Sequence, residues 1–206
     1  FVGINVVLYY APEIFKSTGM GTEAALLQTI LVGAINMIFT VIAIVTVDKY
    51  GRKPLMLIGA LVMGVSMLIL GSTFAANQMG IVSLVFMMIY TAAFALSWGP
   101  VTWVLLSEIF PNRIRGKAMA LAVAVQWACN FLVSQTFPMM NNSTRLNELF
   151  NHGFAYWIYG ICALLAGWFV WKIVPETKGK TLEEMENLWT SEDSSQDEPK
   201  EKAVVA

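Results

Sequence analysis

Residues 98–117 read WGPVTWVLLSEIFPNRIRGK and run from a long apolar segment into a dense cationic turn. Near the start of this stretch, Gly99-Pro100 interrupts what would otherwise be a continuous membrane-spanning helix. Proline has no backbone N–H, so the carbonyl of Leu96 loses its helical partner, and the ring clashes with that preceding turn. In hydrocarbon, a freed carbonyl is tolerated only against neighbouring helices or a water-lined cavity. With Trp98 and Trp103 flanking the break, the pattern points to a cavity. A simple packing kink competes with it, and the other spans decide between the two.

Those spans are apolar throughout. Of 206 residues, 57% are hydrophobic and 13% are charged, where a soluble domain carries roughly a quarter charged residues. Mean hydropathy is +0.62. The charges cluster and leave charge-free runs of about 20 residues, enough for a helix to cross a hydrocarbon core of about 30 Å. Cys129 and Cys162 both lie in apolar runs, where a lone thiol acts as a small hydrophobe. No disulfide, metal site or cofactor is expected. The net charge of −1 argues neither for nor against nucleic acid, and no such partner is expected. The chain opens on Phe1 inside an apolar segment, so it reads as the back part of a longer protein in which a signal peptide would not be visible.

Taken in order, residues 1–15 read as the remainder of a span, with Gly3 and Asn5 unusual at that depth and Pro12 at its far end. A short polar loop covers 16–23. Full spans are predicted over 24–47, 55–75, 81–106 (the proline-broken one), 118–140 and 154–174. Charged loops fall at 48–54 and 108–117, a polar loop at 141–153, and a tail from 175 to 206. The expectation is an all-α membrane protein with six transmembrane helices over 1–174, the first of them truncated. In the tail, Thr181 and Glu184 form a capping box. Leu182, Met185 and Trp189 follow at helical spacing, predicting a short amphipathic helix, and composition predicts disorder from 190.

Orientation follows from the cations, because short cytoplasmic loops are enriched in Lys and Arg. Of thirteen cations, all but Lys16 and Arg145 fall on one side of this topology. That side, with the C-terminus, is predicted to be cytoplasmic, in an integral protein of the cytoplasmic (inner) membrane.

Several amides sit at midplane depth. Gln126 lies roughly 13 Å along its helix from Lys117, near the bilayer centre, and Asn36 is comparably deep. An unpartnered buried amide costs a few kcal/mol, so these groups face protein or water. Singly, Asn36, Gln126 and Asn130 could bond helix to helix. Together with Asn5, Trp103 and Trp127 they match what a sugar needs. Amides donate to and accept from vicinal hydroxyls, and an indole offers an apolar face to a pyranose. No span carries a carboxylate, histidine or arginine at midplane depth, so a proton relay, if one exists, lies outside this chain. At the charged loops, acids and bases at three helix ends could pair and hold one conformation shut, or serve only as orientation signals.

Five segments in order, GINVVLYYAPEIF, DKYGRKP, GPVTW, SEIFPNRIRGKA and VPETKGKTLEE, resemble the C-terminal half of a sugar porter of the major facilitator superfamily. The resemblance implies a twelve-helix fold in two six-helix halves, this chain supplying helices seven to twelve, with alternating access around a central sugar site. It implies that Asn5, Asn36 and Gln126 bond sugar hydroxyls, that Trp103 packs against the sugar, and that Trp127 lines the same cavity. Tyr9 and Tyr10 match an outer gate. Asp48, Arg52, Glu108, Arg115 and Glu176 match a cytoplasmic charge network. The family's proton-linked aspartate and a glutamine pair lie outside this sequence.

The resemblance thus implies proton-coupled symport of a pentose such as xylose, with a lipid bilayer, a monosaccharide and protons as partners. A proton-independent hexose facilitator is the alternative. A sugar sensor is disfavoured by a tail of only about 30 residues after the last span. An enzyme is not expected, since no cluster with acid–base, nucleophilic or metal-ligand spacing appears. His152, in the outer loop, reads as merely solvated. The overlapping acceptor patterns at 141–144 read as incidental.

Overall fold

The computed structural model describes residues 1–17, 22–78 and 80–179. The elements are α1 (Ile4–Ser17), α2 (Thr22–Tyr50), α3 (Arg52–Ala75), α4 (Ile81–Leu96), α5 (Trp98–Ile109), α6 (Arg115–Asn141), α7 (Thr144–Phe150) and α8 (Phe154–Ile173). Among the described residues, five spans are long and apolar enough to cross a membrane, with α4 and α5 together making one, Ile81–Ile109. Among the described residues there is no strand. The tail beyond 179, where the sequence predicts a capping box, a short amphipathic helix and then disorder, lies outside the described residues.

The loops are shorter than the charge pattern predicts. The expected loop over 48–54 shrinks to one residue, Gly51, because α2 continues to Tyr50 and α3 begins at Arg52. Gly51 has φ 91, a left-handed conformation that costs glycine nothing. Pro54 falls in the first turn of α3, where its missing N–H costs nothing. Likewise only residues 110–114 lie outside helices in the second charged loop, and the polar loop over 141–153 contains α7. Charged residues read as loop because they mark membrane edges, yet helices run on into the interface. His152 is also not merely solvated: its Nδ1 lies 2.9 Å from the Asn141 carbonyl oxygen and 3.2 Å from Oδ1.

The break in the fourth span falls where proline chemistry puts it. The carbonyl deprived by Pro100 belongs to Leu96, the last residue of α4. Ser97 leaves helical geometry (φ −126, ψ −84). Its hydroxyl donates to the Ala93 carbonyl at 2.6 Å and its own carbonyl accepts from Val101 N–H at 3.0 Å, which restarts the helix as α5.

The scaffold is α3, which packs most extensively against α8 and α4. Lipid is as apolar as leucine, so helices associate in membranes by close packing at small residues. Gly64 meets Gly160, Gly71 meets Gly153 and Ala60 meets Gly167; a Cβ added at Gly64 would lie 2.6 Å from Leu164 and 3.2 Å from the Gly160 carbonyl. Above this seam sits a core of Met63, Met67, Leu70, Phe74, Tyr90 and Tyr156. Both α2 and α6 present apolar residues outward, among them Ile30, Met37, Val41, Leu121 and Phe131, as suits helices facing lipid or another part of the protein.

Candidate functional site

A cavity of about 800 Å³ opens between α1, α5 and α6. Periodicity explains its walls. On α6 the residues Ala122, Gln126, Cys129, Asn130 and Val133 recur at intervals of three and four, and on α5 so do Trp98, Thr102 and Leu106, so each helix turns one stripe inward. The wall is mostly apolar. Its polar groups are few: Asn5 from α1, Thr102 and Trp103 from α5, Gln126 and Asn130 from α6.

The structure thus brings together Asn5, Trp103 and Gln126. Asn36 is not in the cavity wall; it sits half-buried on α2, where its carbonyl accepts from the Thr40 hydroxyl at 2.7 Å. Trp127 is also off the wall and 60% exposed, because neighbouring helical positions point about 100° apart and Gln126 takes the inward direction. The same geometry separates the two tyrosines. Tyr9 is exposed, while Tyr10 packs on Phe137 with ring centroids 5.2 Å apart and donates to the Ser134 carbonyl at 3.3 Å, tying α1 to α6. The sequence-derived binding set omits Thr102, and it omits Trp98, which the sequence marks only as flanking the break. The i, i+4 spacing from Trp98 to Thr102 was the available signal. Trp98 serves both wall and scaffold, donating its indole N–H to the Met56 carbonyl of α3 at 2.9 Å.

At the charged end, Arg52 grips Glu108 through two bonds, Nη2 to Oε1 at 2.7 Å and Nε to Oε2 at 3.1 Å, the planar match that makes arginine–carboxylate pairs strong. Asp48 adds a contact to Arg52 at 3.0 Å but is 76% exposed. Glu176 works differently. Its Oε1 accepts the backbone N–H groups of Arg52 (3.0 Å), Thr177 (3.1 Å) and Lys178 (3.0 Å), and its Oε2 that of Lys53 (3.1 Å). The start of α3 has no side-chain cap of its own, so a carboxylate from beyond α8 satisfies its free donors and complements its dipole. A Cβ on Gly51 would lie 2.9 Å from that carboxylate.

Thr177, absent from the sequence-derived set, is buried and donates to Glu108 Oε2 at 2.6 Å. Arg115 lies beside this network rather than in it. Its Nε donates to the Phe110 carbonyl at 3.4 Å, its Nη2 is buried without a hydrogen-bond partner, and among the described residues it pairs with no carboxylate. Glu108, the carboxylate nearest to it in sequence, is engaged by Arg52 and Thr177.

A bundle of apolar spans is the architecture the five sequence segments imply. A family model described as "Sugar (and other) transporter" matches residues 1–189. This chain belongs to the sugar transporter family. It is 64% identical over 192 residues to the D-xylose-proton symporter of Escherichia coli K12, covering 93% of this chain and 39% of that relative. It is 49% identical over 191 residues to the glucose facilitated diffusion protein of Zymomonas mobilis, covering 93% and 40%. A solved structure of a major facilitator proton:xylose symporter bound to 6-bromo-6-deoxy-D-glucose superposes with a TM-score of 0.82 at 64% identity, covering 91% of this chain and 40% of that one.

The chain therefore spans about 40% of the length of the sugar transporters it matches. It is an integral membrane protein whose spans form the C-terminal half of the twelve-helix major facilitator fold.

Proposed function

We propose that this chain supplies half of a monosaccharide transporter that works by alternating access in the cytoplasmic membrane. The observation that carries the reading is the cavity, where Asn5, Gln126 and Trp103 converge in an otherwise apolar wall. Two amides present paired donors and acceptors to hydroxyls, and the indole offers a flat apolar surface to the sugar ring. Asn36 and Trp127, off the wall in this conformation, are the weaker members of the binding set and engage as the halves rock. Tyr9 and Tyr10 form the outer gate on α1.

The transported sugar is D-xylose or a similar monosaccharide, moved with protons whose relay lies in the other half. The identity to a proton-coupled xylose transporter supports this. The hexose derivative held by the solved relative favours a site that also admits six-carbon sugars, and the similarity to a glucose facilitator supports proton-independent hexose diffusion as the second reading. The charged end is cytoplasmic, as its cations argue, and so is the C-terminus. There Asp48, Arg52, Glu108 and Glu176 latch the helix ends of α2, α3, α5 and α8 in one state, and Arg115 completes the latch with a carboxylate from the other half. The protein performs no covalent chemistry and needs no cofactor.

Uptake of labelled xylose and glucose by cells expressing the complete protein, with and without a protonophore, tests the reading. Accumulation that collapses with protonophore is the expected result. Equilibration indifferent to protonophore would replace symport with facilitation. Binding without uptake of either sugar would make the protein a sensor.

A further inference from the structure

The two amides of α6 do not present themselves alike. Gln126 and Asn130 are four residues apart and both line the cavity, so they lie on one face about 6 Å apart along the axis. Asn130 is half-buried, and its Oδ1 accepts the Ser134 hydroxyl proton at 3.4 Å. That fixes which way the amide faces and leaves its NH₂ group, with two donors, free to serve the cavity. The turn that carries it is pinned, because the Ser134 carbonyl is the acceptor for the Tyr10 hydroxyl at 3.3 Å. Its nearest wall neighbours along α6, Cys129 and Val133, offer no competing strong polar group. The wall therefore has a held donor one helical turn beyond Gln126, displaced along the cavity from the groups that grip the ring.

We infer that Asn130 determines specificity, donating a hydrogen bond to the 6-hydroxyl of a hexose while a pentose of the xylose type leaves it unused. The inference rests on the sugar-site reading above. A pentopyranose carries its hydroxyls directly on the ring. A hexopyranose adds a hydroxymethyl group that projects beyond the ring, and its oxygen accepts readily. An amide NH₂ suits that oxygen, and its removal affects chiefly ligands that possess it.

The test is calorimetry on the purified full-length transporter with D-xylose, D-glucose and 6-deoxy-D-glucose, comparing wild type with Asn130→Val. A neutral hydrogen bond is worth about a fivefold change in affinity, tenfold at the upper end. The expected result is glucose binding weakened by that factor, with xylose and 6-deoxyglucose changed less than twofold. Asn130→Ala, which removes the donor and adds no bulk, is the second variant and shows the same selectivity if Asn130→Val does not yield folded protein. Equal loss for all three sugars, or glucose binding that does not change, overturns the inference while leaving the sugar site standing. Wild-type protein that binds none of the three overturns the sugar-site reading itself.

Discussion

The charged end and the cavity both place polar side chains within an apolar bundle, and they treat those groups in opposite ways. At the charged end nearly every acceptor is used within the chain. Glu108 is shared by Arg52 and Thr177, and Glu176 accepts four backbone N–H groups. In the cavity, Gln126 is exposed on the open face and Asn130 has one long bond to Ser134. Saturated polar groups fix a shape. Groups left open along a concave apolar wall keep their capacity for something that arrives. Arg115 is the exception at the charged end, with one guanidinium nitrogen unpartnered, and it is the group there that the transport reading reserves for the other half.

That contrast can be broken most forcefully at Arg52. Its side chain is only 11% exposed and Glu108 is 25% exposed, so Arg52→Met strands a partly buried carboxylate. A loss of about 3–5 kcal/mol is expected, read as a large drop in the thermal unfolding temperature of the purified full-length protein. A drop no larger than that of a surface variant would show that the end is not held by this pair.

Next in size is Gly51→Ala, which combines a left-handed backbone with a clash on the Glu176 carboxylate and is expected to cost about 1–3 kcal/mol. The same unfolding assay reads it. If Gly51→Ala on a Glu176→Ala background costs as much as it does alone, the Glu176 contact contributes nothing and the backbone strain accounts for the whole effect.

The cavity predicts the reverse pattern. Gln126→Ala should weaken sugar binding by calorimetry about fivefold to tenfold with the unfolding temperature unchanged, since its amide holds no part of the fold together. Unchanged affinity together with lowered stability would return Gln126 to helix packing. The smallest effect is expected at Asp48, whose carboxylate is mostly in solvent; Asp48→Asn should shift stability by less than about 1 kcal/mol. A shift rivalling that of Arg52→Met would make Asp48 a full member of the latch.

The membrane-spanning pattern, the break above Pro100 and the polarity of the loops are legible in the sequence because they depend on local chemistry. A missing N–H, a run of apolar residues and a cluster of cations mean the same thing in any tertiary setting. The cavity is legible in part, since Asn5, Trp103 and Gln126 stand out as polar or aromatic groups at depth. Which of two neighbouring residues faces inward is not legible. Gln126 against Trp127 and Tyr10 against Tyr9 are decided by the rotation of α6 and α1 against their neighbours, a property of packing.

Tertiary structure alone decided the charged end. Sequence brought together acids and bases by their place near the membrane edge, and charge type suggested ion pairs. Across 124 residues, however, Glu176 meets backbone donors at the start of α3 rather than an arginine side chain, and Thr177, with no charge to draw the eye, takes a lone pair of Glu108. The sequence by itself determined that the chain crosses a membrane and where its polar groups lie in depth, because hydropathy and helical rise are local. Only the fold decided which of those groups are spent on one another and which remain free to bind, because that depends on distances between helices that no spacing along the chain records.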